Sequence, residues 1–263
     1  YTIDTLAYLS EKYPQHLWCI IIGSDNLKHL HKWKNYDEII ARQNERERLR
    51  SHQEWIKKEG IPVRELQQRG YLSSAGDNLD LLYNVMSFYG VSTPAEYEKI
   101  WSEWFSVYRF QRSHRHQSNF GAVSAWLRIG ELEARKIECT PFDHKKLRGN
   151  LPAIRDLIVE EHRDIWSEMI DLCAENGVAI VLVPAITKAP IYGATRWLTS
   201  EKAIVQLSLR RKDDGSFWFT LFHELAHLLL HGKKEVFLEF DDGKETKREE
   251  QTDEYAENLL IPP

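Results

Sequence analysis

Hydrophobic and polar positions divide the chain into stretches of different period. Leu6, Leu9 and Tyr13 recur at helical spacing, and a continuous apolar run over residues 17–22 is closed by Gly23-Ser24-Asp25. Residues 1–40 therefore read as helix, strand, helix, a short α/β fragment. Residues 41–60 carry six Lys or Arg and four Asp or Glu with little apolar content, which predicts a solvated, charged helical linker. From residue 61 to 176 nearly everything has helical spacing. Thr93-Pro94 supplies an N-cap followed by proline at the first helical position. Tyr97, Trp101, Trp104, Phe105 and Tyr108 then follow at i, i+4, i+7, i+8 and i+11, an aromatic stripe that reads as core packing.

The period changes after Gly177. Residues 178–183, 191–198 and 203–209 have strand character, and residues 217–230 form a helix apolar almost all round, hence buried. A short strand pattern over 236–240 and a final helix from about Lys247 to Leu260 complete the order. The fold class expected is α+β: a mainly helical middle region, then a compact domain of helix, three-stranded sheet, buried helix and final helix. The expected divisions are 1–40, 41–60, 61–150 and 151–263.

Composition narrows the function classes. With 263 residues, 42% hydrophobic and 29% charged, 13 Gly and 9 Pro, the chain fits neither a disordered, a collagen-like nor a coiled-coil class. Its longest apolar runs fall far short of the roughly 20 residues that cross a bilayer, and no signal peptide opens it, so no membrane partner and a cytoplasmic location are expected. A formal net charge of −5 gives no overall field to collect nucleic acid. Arg109, Arg112, Arg115, His114 and His116 form a local basic cluster that reads as a solvated loop or partner surface. Cys19, Cys139 and Cys173 are far apart, lack any C-x-x-C spacing and suit a reducing compartment as buried small apolar residues. Tyr1 at the start, and Pro263 directly after a helical pattern, lead to the expectation that both ends are truncated.

The buried helix contains His223-Glu224-Leu225-Ala226-His227, an H-E-x-x-H sequence. Residues four apart share one helix face, so both imidazoles can meet a single ion with Glu224 beside them. A divalent metal there lowers the pKa of bound water to about 7, and Glu224 is the candidate general base and catalytic residue. The flanking Phe217, Trp218, Phe219, Leu221, Phe222 and Leu228 to Leu230 place these polar groups in a buried helix. An unpaired charge there would cost several kcal/mol, a conflict that a bound cation resolves.

Zinc requires a third protein ligand and an open position. On the last helix Glu249 shares a face with Thr252 or Asp253, Ala256, Leu259 and Leu260, whereas Glu250 falls on the acidic outer face with Glu254 and Glu257. Glu249 is therefore the expected third ligand, with Glu250 the alternative if the helix is offset by one residue. Asp253 could accept the second ring N–H of a ligand histidine. His231 shares the histidine face but is excluded as a ligand, because eight helical residues from His223 span about 12 Å against bonds of about 2 Å. It is expected at the helix end, donating to carbonyls.

The stretch FTLFHELAHLLLHGKKEVFLEF, followed by KREEQTDEYAENLLIPP, resembles the ImmA/IrrE family of metallopeptidases, with its H-E-x-x-H helix, its E-x-x-A-[DN]-x-F-A motif and its LL-x-P ending. Thr252 stands for the usual alanine of the second motif and Tyr255 for its phenylalanine, while Glu249 and Asp253 occupy the acidic positions. YGATRWLTSEKAIVQLSLR resembles the strands before the zinc helix, and a weaker likeness reaches back to about residue 61. The resemblance implies a zincin-like Zn2+ endopeptidase with His223, His227 and Glu249 as metal ligands. The implied partner is a protein substrate, a helix-turn-helix transcriptional repressor or antitoxin-like regulator, cut in phage induction, mobile-element or stress responses. Main-chain pairing of the substrate along an exposed sheet edge near residues 191–198 is expected.

YTIDTLAYLSEKYP, IIGSDNL and HKWKNYDEII are similar to the middle of nicotinate-nucleotide adenylyltransferases, which makes Asp25 and Trp33 the implied nicotinate-pocket residues. The phosphate-binding H-x-G-H and S-[ST]-x-x-R motifs of that family are absent, so nucleotidyl transfer lacks its charge-stabilising groups. Two alternatives remain open at this level. One is a zinc-stabilised regulatory or binding module that cuts nothing, and the other is a nicotinate-nucleotide sensor related to the adenylyltransferases.

Overall fold

The structure is a computed structural model that describes residues 5, 8–9, 11–13, 54–74, 78–101, 119–159, 164–210, 213–232, 237–240 and 247–261. The chain divides into two units, residues 1–55 and 56–263. Of the first, residues 5, 8–9 and 11–12 are helical. The proposed nicotinate-pocket positions Asp25 and Trp33, the basic cluster at 109–116, and Trp104, Phe105 and Tyr108 of the aromatic stripe lie outside the described residues.

The second unit begins with helices. They are α1 (Val63–Gln68), α2 (Asn78–Tyr89), α3 (Phe120–Ala134), α4 (His144–Asp156) and α5 (Ile165–Ala174). Local signals set their ends: Asn119 accepts from Ala122 N, and Asp143 accepts from Lys145 N and Lys146 N, satisfying amides that a helix start leaves without partners. At the Thr93-Pro94 start, Thr93 Oγ1 accepts from Glu96 N at 3.1 Å. Tyr97 and Trp101 are buried, as the stripe requires. Their packing partner Tyr89 lies 4.9 Å from Tyr97 between ring centroids, and Ser124 Oγ is within 3.0 Å of both Tyr hydroxyls.

Gly177, at φ 81°, makes the turn from α5 into the sheet, where a Cβ would strike the Phe142 backbone. The strands are β1 (Val178–Leu182), β2 (Ile191–Trp197), β3 (Ala203–Leu207) and β4 (Phe237–Phe240). They form one sheet in the order β1-β3-β2-β4, with β1 and β3 parallel and the other pairs antiparallel. Helix α6 (Asp214–Leu230) lies across β2 and β3, and α7 (Lys247–Leu260) packs on α6.

All five residues of β3 are buried because both faces of the sheet are covered. Ala203, Val205 and Leu207 join Phe222, Leu225 and Leu229 of α6 in one core with Leu147, Leu151 and Ile154 of α4. On the other face α3 covers the sheet: Trp126 Nε1 donates to Val183 O at 2.9 Å, and Gln206 Nε2 donates to Trp126 O at 2.7 Å. Burial of a Phe or Leu side chain of this kind contributes about 1.5–3 kcal/mol, so α6 is anchored by its apolar positions and its polar ones need not contribute to packing.

The expected strands and the short pattern after the helix thus belong to a single mixed sheet, and the fold is α+β. One expectation is overturned. Residues 191–197 are an interior strand, with β3 on one side and β4 on the other, so their main chain offers no free edge to a substrate. The sheet ends instead at β1 and β4. Among the described residues no helix is long and apolar enough to cross a membrane.

Candidate metal centre

Helix α6 starts at Asp213, whose side chain accepts from Ser216 N at 2.7 Å, and its middle is buried from Thr220 to Leu229. His223 and His227 are one turn apart on this buried stretch. Helix α7 runs antiparallel beside it and answers in steps of the same size. Asp253 Oδ1 lies 2.8 Å from His223 Nδ1, and one turn earlier Glu249 Oε2 lies 3.2 Å from His223 Nε2 and 3.5 Å from His227 Nε2. Thr252 and Ala256 are buried on the same side, while Glu250, Glu254 and Glu257 are exposed.

The two Nε2 atoms are 3.0 Å apart, so with Glu249 Oε2 they form a triangle of 3.0, 3.2 and 3.5 Å. Ligand atoms about 2.0–2.1 Å from a tetrahedral metal are about 3.3 Å from one another, so the triangle has the size that a divalent ion requires. Two imidazoles and one carboxylate are also the donor set of a three-ligand site with its fourth position open. Among the described residues, the buried Glu224 Oε1 and His227 Nδ1 have no hydrogen-bond partner. The donor set, the spacing and the unsatisfied Glu224 oxygen all fit a metal.

Glu224 is fully buried and points to β2. The Thr195 hydroxyl donates to Glu224 Oε2 at 2.5 Å and sits 3.1 Å from the Glu224 carbonyl oxygen. Gly193, two residues before Thr195 on the same strand face, leaves the space that the carboxylate fills, since a Cβ there would be 2.8 Å from Glu224 Cδ and closer still to Oε1. Opposite Gly193 in the register stands Glu239 of β4. Phe237 of the same strand stacks on His227 at 3.9 Å and 15° and fixes that ring's plane. His231 caps α6, at the helix end expected for it, and its Nε2 lies 3.2 Å from Thr252 Oγ1.

The buried histidines and carboxylates of the site shift one another's proton affinities. Burial disfavours a cation at His223, but hydrogen bonds with Asp253 and Glu249 overrule it and push the pKa up to about 11. Burial lowers His227 to about 4 against the pull of Glu249. Glu249 itself is drawn well below the usual carboxylate range, because its hydrogen bonds with the two histidines outweigh burial. Burial lifts Glu224 to about 8 against the attraction of His223, with Glu239 adding to the rise. A carboxyl group of that affinity both takes up and returns a proton near neutral pH.

His223, Glu224, His227 and Glu249, all named from the sequence, therefore lie together, with Asp253 against the outer nitrogen of His223. Thr195, Gly193, Phe237 and Glu239 were not foreseen. A glycine inside a strand pattern is a sign of close approach and could have pointed to Gly193. No pattern marks Thr195. Replacing Gly193 by Ala is expected to lower stability by about 1–3 kcal/mol through overpacking against Glu224. Urea unfolding measures this, and a variant as stable as the parent would mean that the Glu224 carboxylate does not rest over residue 193.

The N-terminal 40-residue segment is similar to proteins described as "Probable nicotinate-nucleotide adenylyltransferase". The Cytophaga hutchinsonii protein is 55% identical over 40 residues, 15% of this chain and 21% of the relative. The Flavobacterium johnsoniae protein is 58% identical over 40 residues, again 15% and 21%. The chain thus spans about a fifth of the length of the curated relatives it matches. No solved structure matches it. Residues 185–263, which hold β2, β3, α6, β4 and α7 with every member of the His-His-Glu cluster, match the family model of the IrrE N-terminal-like domain, Peptidase M78, a metallopeptidase-type domain.

Proposed function

We propose that the chain is a zinc-dependent endopeptidase acting on a regulatory protein such as a helix-turn-helix repressor. The observation that carries the reading is the convergence of His223 Nε2, His227 Nε2 and Glu249 Oε2 within 3.5 Å beside the buried, half-satisfied Glu224 carboxylate.

His223, His227 and Glu249 would hold the metal. A bound zinc ion supplies Lewis-acid polarisation of a peptide carbonyl and lowers the pKa of water in its open position to about 7. Thr195 anchors one oxygen of Glu224 and leaves Oε1 to take the proton of the attacking water. Glu224 then delivers that proton to the leaving amine nitrogen. Asp253 orients His223 through Nδ1, which leaves Nε2 for the metal. A substrate strand pairing with the sheet would use the outer edge of β4, the terminal strand whose Phe237 borders His227.

The test is zinc content together with proteolysis. The full chain should purify with about one equivalent of zinc and, once zinc-loaded, should cut a DNA-binding regulator encoded beside it at an internal peptide bond. Mass spectrometry of the products reads the cut. A zinc-loaded chain that leaves every such neighbour intact would overturn the endopeptidase reading.

A further inference from the structure

A second concavity lies at the start of α6, on the side away from the metal. At about 100° per residue, Asp214 and Trp218 project roughly opposite to His223 and His227, with Phe217 about a quarter-turn from them. There the structure forms a cleft, open to solvent, of about 520 Å³, within the range of small-molecule sites. Three aromatic rings form its walls. Trp166 of α5 meets Phe217 at 4.9 Å and 69°, and Phe217 meets Trp218 at 5.5 Å and 75°, so successive rings stand nearly perpendicular instead of stacking. Met169, fully buried, is also part of the lining.

The rim has two further properties. Ile158, Trp166 and Leu209 expose 37%, 42% and 43% of their surface, and the neighbouring Val159 exposes 78%. Large apolar side chains gathered in this way around one opening mark a surface that is covered by something in use. Leu209 is also held at φ 53°, a left-handed conformation unfavourable for leucine. Every charged residue among the described lining is acidic: Asp213, which also caps α6, and Asp214. Aromatic faces and carboxylates both attract a positive charge, and a ring face prefers one that is diffuse and weakly hydrated.

We propose that this cavity binds a small organic cation, an ammonium group carried on an apolar or aromatic body. The aromatic rings take the cation and its alkyl groups, the Asp214 carboxylate supplies the counter-charge, and the apolar rim covers the remainder. The site is separate from the metal centre, and binding there requires neither metal nor peptide hydrolysis.

The test titrates the full chain with benzyltrimethylammonium by calorimetry and compares its uncharged carbon isostere, neopentylbenzene. Saturable binding of the cation is expected, with the isostere at least about tenfold weaker. Trp166→Ala should weaken the cation by about tenfold and Asp214→Asn by about threefold or more, the Asp214 variant keeping the parent's thermal melting. Because Asp214 is exposed, its variant keeps the test decisive if Trp166→Ala fails to fold. No saturable binding, equal binding of the isostere, or undiminished affinity in Asp214→Asn would overturn the proposal.

Discussion

Replacing Glu224 by Gln is expected to lower the rate of peptide cleavage by about 10²–10⁴-fold, the usual contribution of a positioned general base, while zinc content and melting temperature stay near the parent values. The amide keeps the shape of the carboxylate and can still accept from Thr195, and neither carboxylate oxygen of Glu224 belongs to the His-His-Glu triangle. Loss of the base therefore separates from loss of the metal. Initial rates on the cleaved regulator, with metal analysis and melting of the same preparation, make the measurement. A Gln variant that cuts at the parental rate would remove Glu224 from the mechanism. One that loses its zinc would make the residue part of the metal site instead.

Removing the metal should lower the melting temperature by on the order of 10 °C. An ion held at about a thousand times its dissociation constant stabilises the fold by about 4 kcal/mol, and for a domain of this size each kcal/mol shifts the midpoint by about 2–4 °C. The pH dependence has a definite sign. In the metal-free chain His223 holds a proton through Asp253 and Glu249, its pKa pushed up to about 11. An incoming ion must displace that proton, so metal affinity rises with pH, by about tenfold per unit for each proton released.

The metal-free fold has the opposite slope between pH 7 and 8. His223 stabilises it fully below the unfolded value near 6.5 and progressively loses that contribution as pH rises toward about 11. Glu224, raised to about 8, likewise binds more proton folded than unfolded from about pH 4.5 upward, so rising pH costs stability there. Glu249 contributes above its unfolded value near 4.5 and loses that contribution progressively as pH falls below it. Competition titrations with a metal indicator, beside denaturant unfolding in chelator, resolve the two slopes. Equal melting with and without chelator, or a metal affinity flat from pH 6 to 8, would show that the triangle does not serve as a metal site.

Periodicity alone located the four strands and the last two helices of the second unit. The expected strand at 178–183 is observed at Val178–Leu182, that at 203–209 at Ala203–Leu207, and the final helix at Lys247–Leu260. These are the segments whose apolar positions leave few alternatives, because each must bury a face or a stripe. That Glu249 rather than Glu250 faces the histidines was legible for the same reason: a one-residue step turns a helical side chain by about 100°, and Ala256 and Thr252 commit the face.

Strand order was not legible. Residues 191–198 carry the same apolar signature whether a strand lies inside the sheet or at its edge, since periodicity records which faces are covered and not which neighbours share hydrogen bonds. The partners of β2 come from either side in sequence, β3 directly after it and β4 only after α6, and that pairing closed the edge to a substrate.

The sequence by itself determined the H-E-x-x-H helix, its burial, and the helix face that carries the Glu249 carboxylate. All three follow from the local geometry of a helix and the cost of exposing apolar surface. Only the tertiary structure decided that Thr195 holds Glu224, that Gly193 makes room for it, that Phe237 orients His227, and that aromatic rings from α5 and α6 line a second cleft. Those contacts join residues tens of positions apart, and they exist only once the sheet and its helices have packed.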